Sequence, residues 1–296
     1  MNSLSALHDM VLIVEVSRTR SFSVAGRNLG VSNATLSRRI AALEARLGLQ
    51  LFERTTRHVE LTDAGTRYVA RCAHLVDEVR LAEEALLDTA SLPTGHLRLS
   101  MPADVGIHML GPALHAFGRR YPDITFDIDL SSLHRDHVGE QVDVSFRVGA
   151  VAAERLIVRR IGWVPQPLYA APSYLAANGR PRMPADLPNH ECIIGRNPRP
   201  EEVWQLSDGR QTEQITARGR YMTNDAAMMR MLAESGAGIS PLQPALAQEA
   251  VARGHLERVL ADWQLPSLPL YAVTTSRLQP ARVKVLIEFL ATSLAS

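Results

Sequence analysis

The stretch SFSVAGRNLGVSNATLSRRIAALEARLG, from Ser21 to Gly48, constrains the fold of this chain more than any other. It holds two short helix patterns separated by Gly-Val-Ser, and so short a pair must bury its apolar faces in a shared core. In the second pattern, Asn33–Leu47, the residues Leu36, Ile40, Leu43 and Leu47 fall on one stripe at helical spacing, the expected core face. At about 100° per residue, Ala34, Arg38, Ala41 and Ala45 lie within about 40° of the opposite direction. Thr35 and Ser37 flank that outward stripe in the first turn. The first pattern, Ser21–Leu29, ends at Gly30, and Ser32 is placed to cap the second helix.

The outward face therefore offers small and hydroxyl side chains around one arginine. Small side chains permit close approach to a surface, while hydroxyls and arginine supply hydrogen bonds to phosphates and base edges. This is helix-turn-helix geometry, with a second helix able to enter a major groove. The tail RTTRHVELT has the character of a β-wing, with Arg54, Arg57 and His58 at its tip. Ser32, Asn33, Ala34, Thr35, Ser37, Arg38, Arg39, Arg54 and Arg57 are the candidate contacts to double-stranded DNA. The same pattern also suits an ordinary three-helix core whose exposed face is rich in arginine. Charge is mildly asymmetric: residues 1–62 carry eight arginines and five carboxylates, a net of +3, in a chain whose net charge is +1.

Residues 63–91 form one long helical stretch without proline, for which Thr62 is the expected N-cap. Ala64, Tyr68, Cys72, Leu75, Val79, Ala82 and Leu86 follow one another at steps of three and four, close to a coiled-coil seam. Pairing with another chain would bury that seam; packing on the chain's own globular domain is the alternative. Ser91, Pro93, Thr94 and Gly95 then break the helix as a hinge. Beyond it, strands and helices alternate in the α/β manner. ITFDIDL places Ile124, Phe126, Ile128 and Leu130 on one face, and VDVSFRV does the same with Val142, Val144, Phe146 and Val148. Further strands are expected at 156–162, 167–171, 192–194, 214–222, 239–241 and 268–274, and ARVKVLIEFLATSL is the closing helix.

Several classes are disfavoured. Two cysteines provide neither a disulfide framework nor metal-ligand spacing, and the N-terminus lacks a basic signal-peptide region. No window approaches the roughly eighteen apolar residues of a membrane span, so a cytoplasmic, reducing compartment is expected. GAGISP lacks the third glycine of a dinucleotide fingerprint, no P-loop lysine exists, and no G-x-S-x-G elbow occurs. His134 and His137 have no further ligand cluster. No catalytic residue, metal or cofactor is expected. Cys72 reads as a small apolar filler, with redox sensing as the alternative.

SFSVAGRNLGVSNATLSRRIAALEARLGLQLFERTTRHVELTDAG resembles the winged-helix signature of LysR-type transcriptional regulators, and DVSFRVG and PADLPNHECI are similar to effector-domain segments of a large subgroup. Family members commonly carry Gln and Pro where this chain has Asn33 and Ala34. The resemblance covers the chain in order and implies a multi-domain α+β protein. A winged helix-turn-helix would occupy 1–62 and a linker or dimerisation helix with its hinge 63–91. A C-terminal α/β effector domain like that of periplasmic binding proteins would occupy 92–296. Its subdomain 1 would hold about 92–162 and 268–296, and its subdomain 2 about 163–267. The implied function is sequence-specific transcription regulation by a homodimer or homotetramer, controlled by a small effector bound between the subdomains.

Ligands of open α/β sheets lie at the C-terminal ends of strands, beside helix N-termini. Ser100, Met101 and Pro102 end the first strand, Ser131 follows ITFDIDL, and Arg147 and Gly149 end VDVSFRV. Asn224 and Asp225 open the helix AAMMRMLAESG, and Ser240 lies in GAGISP. Hydroxyls, backbone N–H groups and an arginine suit an organic anion such as a carboxylate. Ser100 and Asn224 also read as helix caps, and Arg147 as the partner of an acid. A solute-binding protein or an enzyme with an added helical domain are the rival readings. Residues 1–62 speak against the first, and the missing catalytic constellation against the second.

Overall fold

The computed structural model describes residues 3–54, 59–87, 93–131, 142–151, 156–195, 199–276 and 279–295. They form two compact units, one built chiefly on the chain up to Pro93 and one holding Thr94–Leu133, Asp143–Thr275 and Arg282–Ser296.

The first unit runs α1 (Ser3–Thr19), α2 (Phe22–Asn28), α3 (Asn33–Leu47), β1 (Phe52–Arg54), β2 (Val59–Leu61) and α4 (Asp63–Leu87). Ser32 and Thr62 cap α3 and α4 where the sequence places them, and Ser21, read as the first helical residue, is the N-cap of α2. Ser21 Oγ accepts from the Val24 N–H at 3.3 Å, Ser32 Oγ from Thr35 at 3.2 Å, and Thr62 Oγ1 from Gly65 at 2.9 Å. Gly48 closes α3 in the left-handed conformation, with φ +67°. Leu36, Ile40 and Leu43 are buried as expected, but Leu47 is 39% exposed, because the core ends one turn before α3 does. The antiparallel pair β1–β2 supplies the two strands of the wing.

The expected seam of α4 divides. Cys72 packs inside its own unit together with Val69, Leu12, Ile13 and Val16. That portion follows the alternative reading and does not await a second chain. Leu75 and Val79, one and two turns further, are 46% and 53% exposed. The side chains of Ala82 and Leu86, and the hinge residue Ser91, lie outside the described residues. Burial raises the Cys72 thiol above its ordinary pKa, and that sulfur is a core filler.

Three contacts fix α3. Asp9 of α1 is 5% exposed and receives two guanidinium groups from α3, Arg39 at 3.1 Å and Arg46 at 3.2 Å. Those arginines stand two helical turns apart and so share one face. Glu44 Oε1 accepts the N–H groups of Leu51 at 2.8 Å and Phe52 at 3.1 Å, tying the end of α3 to β1. On the α2 side, a Cβ at Gly26 would stand 2.7 Å from the Val31 carbonyl oxygen, so helix and turn close only over a glycine.

The second unit begins with β3 (Gly95–Ser100), α5 (Ala103–Val105), a π-helical turn over Gly106–Leu110, α6 (Gly111–Arg120), β4 (Ile124–Asp129), β5 (Val144–Val148) and β6 (Ile157–Gln166). Next come β7 (Leu168–Ala170), α7 (Pro172–Asn178), a 3-10 turn over Pro184–Asn189, β8 (Ile194–Gly195), β9 (Glu201–Ser207), β10 (Thr212–Arg218) and β11 (Met222–Thr223). The unit closes with α8 (Ala226–Glu234), β12 (Ser240–Pro241), α9 (Pro244–Ala252), β13 (Glu257–Val259), β14 (Leu265–Thr274) and α10 (Ala281–Ala295).

Two lobes result. The first is a mixed five-stranded sheet in the order β4-β3-β5-β14-β6, with β3 parallel to β4 and β5, and β14 antiparallel to β5 and β6. Leu97, Phe117, Val144, Phe146, Leu270 and Leu286 fill its core. In the second lobe, the sheet β12-β7-β13, the hairpin β9–β10 and the parallel pair β8–β11 enclose Leu168, Leu187, Cys192, Trp204 and Ile239. Burial pushes the Cys192 thiol up to about 12.

β9 and β13 are absent from the sequence reading, since β9 buries only Trp204 and Leu206 behind two leading glutamates and β13 is three residues with one buried position. The single strand expected over 214–222 is two strands, parted near Gly219, where a Cβ would stand 1.7 Å from the Cys192 carbonyl oxygen. Ile124 is buried, yet Ile128 and Leu130 of the same face are 43% and 44% exposed beside a groove. Val142 is 36% exposed, while Val144 and Phe146 are fully buried.

Two substitutions test this packing. Asp9→Ala leaves Arg39 and Arg46 unpaired; because both are partly solvated, the expected loss is about 1–3 kcal/mol. Urea unfolding followed by far-UV circular dichroism measures it, and an unchanged midpoint would show that Asp9 anchors nothing. Gly219→Ala drives a methyl group into backbone, with an expected cost of about 3 kcal/mol. The shift of buried Trp204 fluorescence to lower urea reports it, against an unchanged curve if the strand can move aside.

Candidate nucleic-acid interface and ligand cleft

The exposed face of α3 is the one its periodicity dictates. Ala34, Arg38, Ala41 and Ala45 are all exposed, opposite the buried Leu36, Ile40 and Leu43. At the N-terminal end, polar side chains order one another. Ser32 Oγ lies 2.9 Å from Thr35 Oγ1, and Asn33 Nδ2 donates to Ser23 Oγ at 3.4 Å. Ser37 is partly exposed. Arg38 Nε donates to its own helix at Ala34 O, 3.4 Å away, which leaves the rest of the guanidinium on the open face. Arg39 is placed differently from its neighbour: its guanidinium is spent on Asp9. It holds the helix and does not belong to the outward stripe. The side chain of Arg54, and all of Arg57 and His58, lie outside the described residues.

Sequence reasoning missed the supports of this surface, Asp9 and Glu44. Asp9 had one available signal: an acid among the apolar residues of α1, with Arg39 and Arg46 on one face of the next long helix.

In the second unit, Ser100 ends β3 and is 5% exposed. Met101 is fully buried and lines the groove between α6 and β4. Pro102 stands at the N-cap of α5 and offers its carbonyl to the Gly106 N–H at 2.9 Å. Ser131 donates to Asp129 Oδ2 at 2.5 Å. Arg147 is partly exposed on β5 opposite Tyr271, and Gly149 turns the chain at φ +81° while donating to the Pro269 carbonyl at 2.9 Å. Asn224 is exposed, and Asp225 caps α8 by accepting from the Met228 N–H at 2.8 Å. Ser240 is fully buried on β12.

These positions do not all converge. Met101 belongs to the groove of about 540 Å³ lined also by Ile107, Leu114, Phe126, Ile128 and Leu130. The two lobes are joined instead by a pair that the sequence reading overlooked, Asp104 of α5 and Gln243 at the N-cap of α9, 2.9 Å apart. Asp225 acts on Asp104 through its like charge, and so belongs to the same neighbourhood. Among the described residues, no three metal-ligating side chains come together and no helix is long and apolar enough to cross a membrane. His134 and His137 lie outside the described residues.

Comparison with known proteins agrees with this geometry over the whole chain. Residues 7–66 match the bacterial regulatory helix-turn-helix protein, lysR family, and residues 90–295 match the LysR substrate binding domain. An HTH-type transcriptional regulator of Xanthomonas campestris pv. campestris is 33% identical over 293 residues, covering 97% of this chain and 85% of that protein. The regulator DmlR of Escherichia coli is 32% identical, with 98% and 95% covered. Among solved structures, the full-length Vibrio cholerae virulence activator AphB superimposes with a TM-score of 0.58 at 30% identity, covering 97% of this chain and 98% of that one. CrgA of Neisseria meningitidis gives 0.59 at 28%, covering 98% and 99%. The chain belongs to the LysR family: it is a DNA-binding transcriptional regulator with a C-terminal effector-binding domain.

Proposed function

We propose that α3 reads a partly palindromic operator through its first two turns, with Ser32, Asn33, Ala34, Thr35, Ser37 and Arg38 at the DNA and Arg39 as a positioning arm on Asp9. Arg54 and Arg57 would serve phosphates from the wing. The observation that carries this is the stripe of exposed alanines around Arg38 on a helix held by Asp9, Glu44 and the Gly26 contact. A surface so stripped of bulk fits against a groove wall, and an arginine at its centre is the side chain best suited to guanine.

The functional division follows the elements: 1–62 for DNA, 63–91 for linkage and dimerisation, and 92–296 for the effector. The exposed Leu75 and Val79 are supporting evidence for a homodimer through α4, which two operator half-sites require. Effector binding between the lobes, near Ser100, Ser131, Arg147, Gly149, Asn224, Asp225 and Ser240, would bias the dimer toward one arrangement on DNA. The protein acts in the cytoplasm, as a regulator and not as an enzyme.

Fluorescence anisotropy on the DNA upstream of its own gene, over a salt series, tests the DNA reading. Arg38→Ala is expected to weaken specific binding by about 10- to 100-fold, the value of one bidentate base contact of about 1–3 kcal/mol. The salt slope counts phosphate contacts at about 0.9 each. Unchanged affinity for the preferred site would mean that α3 presents another face. Leu75→Asp is expected to convert the dimer to monomer in sedimentation equilibrium; a fully dimeric variant would remove α4 from the interface.

A further inference from the structure

The contact between the lobes is short of hydrogen-bond donors. Gln243 is 3% exposed, and its Nε2 donates to Asp104 Oδ2 at 2.9 Å. The oxygen of the same carboxamide, Oε1, is buried with no hydrogen-bond partner. Three residues earlier, Ser240 is fully buried and its Oγ is also without one. Buried polar atoms are almost always satisfied, and here two orphans lie within four residues of chain, one of them on the carboxamide that meets the partly buried Asp104.

The electrostatics have one sign. Burial pushes the Asp104 carboxyl above the ordinary carboxylate range, and the charge of Asp225 raises it further. The backbone N–H groups of Val105 and Asp104 and the Gln243 amide pull the other way. Asp225 approaches from the second lobe, where its other task is to cap α8. Gln243 Oε1 shares its carboxamide with the amide that meets Asp104, the charge of Asp225 acts on the same carboxyl, and Ser240 Oγ lies three residues along the chain.

We infer that the effector cleft recognises a small organic cation, a primary amine whose ammonium group sits between Asp104 and Asp225 and whose N–H or O–H groups satisfy Gln243 Oε1 and Ser240 Oγ. An ammonium carries three donors and no acceptor, the complement of this set. A carboxylate placed there would meet the like charge of Asp104 and Asp225 and the Gln243 oxygen, with the Ser240 hydroxyl as its one side-chain donor among these groups. The ligand joins residues of both lobes, so binding it stabilises the arrangement in which Asp104 and Gln243 meet. This rests on the reading of residues 92–296 as an effector sensor, and it replaces the organic anion expected from Arg147 and the strand-end hydroxyls by the opposite charge.

The test is thermal unfolding and calorimetric titration of the full chain with matched probes: 1,4-diaminobutane and glucosamine as amines, succinate as the four-carbon acid. At least one amine is expected to bind at or below about 10 mM and to raise the unfolding midpoint, while succinate does neither. Asp104→Asn keeps the shape and a hydrogen-bonding group at the Gln243 contact, and Asp225→Asn keeps a competent helix cap. Each is expected to weaken the amine at least tenfold. Failure of both amines, binding of succinate in their place, or an amine response unaltered in both variants would overturn the proposal. Anisotropy on DNA, run on the same wild-type preparation, keeps the two readings apart. DNA binding without an amine response sinks this inference alone, and an amine response without DNA binding sinks the operator reading alone.

Discussion

Asp9 sets the geometry on which the DNA-facing surface depends. A carboxylate that is 5% exposed is costly unless paired, and here its pairing consumes two arginines from the helix that carries the exposed stripe. The roll of α3 about its axis is fixed twice over, by its buried leucine and isoleucine face and by charge. The apolar face alone tolerates a modest rotation, since neighbouring side chains repack. Two guanidinium groups on one buried acid tolerate much less, because their hydrogen bonds are directional. Ala34, Arg38, Ala41 and Ala45 thus present as one line, and Glu44 holds the wing strand in step with them.

Much of this was legible in the sequence, for a physical reason. Caps, helix stripes and helix-ending glycines are local, so Ser32, Thr62 and Gly30 declare themselves from their immediate neighbours. The five-stranded sheet was readable in its central strands, whose Val144 and Phe146 alternate cleanly against the core. What failed was non-local. Nothing near Asp104 in the chain announces Gln243, 139 positions away, and nothing near Gly219 announces Cys192. The seam of α4 failed halfway for a related reason: its spacing is the same whether the partner is α1 of the same chain or a second copy.

The effector domain shows the same division between what periodicity dictates and what tertiary contact decides. Its lobes are ordinary apolar cores, and the strand-end residues picked out from sequence occupy turns and caps as often as open surface. Across the lobes, folding brings together a few polar atoms, Asp104 and Gln243 among them. Asp104 and Gln243 are not among the strand-end residues that the sequence nominates, whereas Asp225 and Ser240 are. Chemistry at such a contact is set by what is left unsatisfied once the backbone has taken its share.

The two thiols have a consequence of their own. Cys72 and Cys192 are each buried within an apolar core, in different units of the chain, and burial raises the pKa of both. The species that reacts with peroxide or with a disulfide is the thiolate, and the folded protein keeps both sulfurs protonated and out of reach. Thiol oxidation therefore finds no handle on this regulator while its fold is intact. A sulfenic acid or mixed disulfide recovered from it would be the mark of a molecule that had already opened.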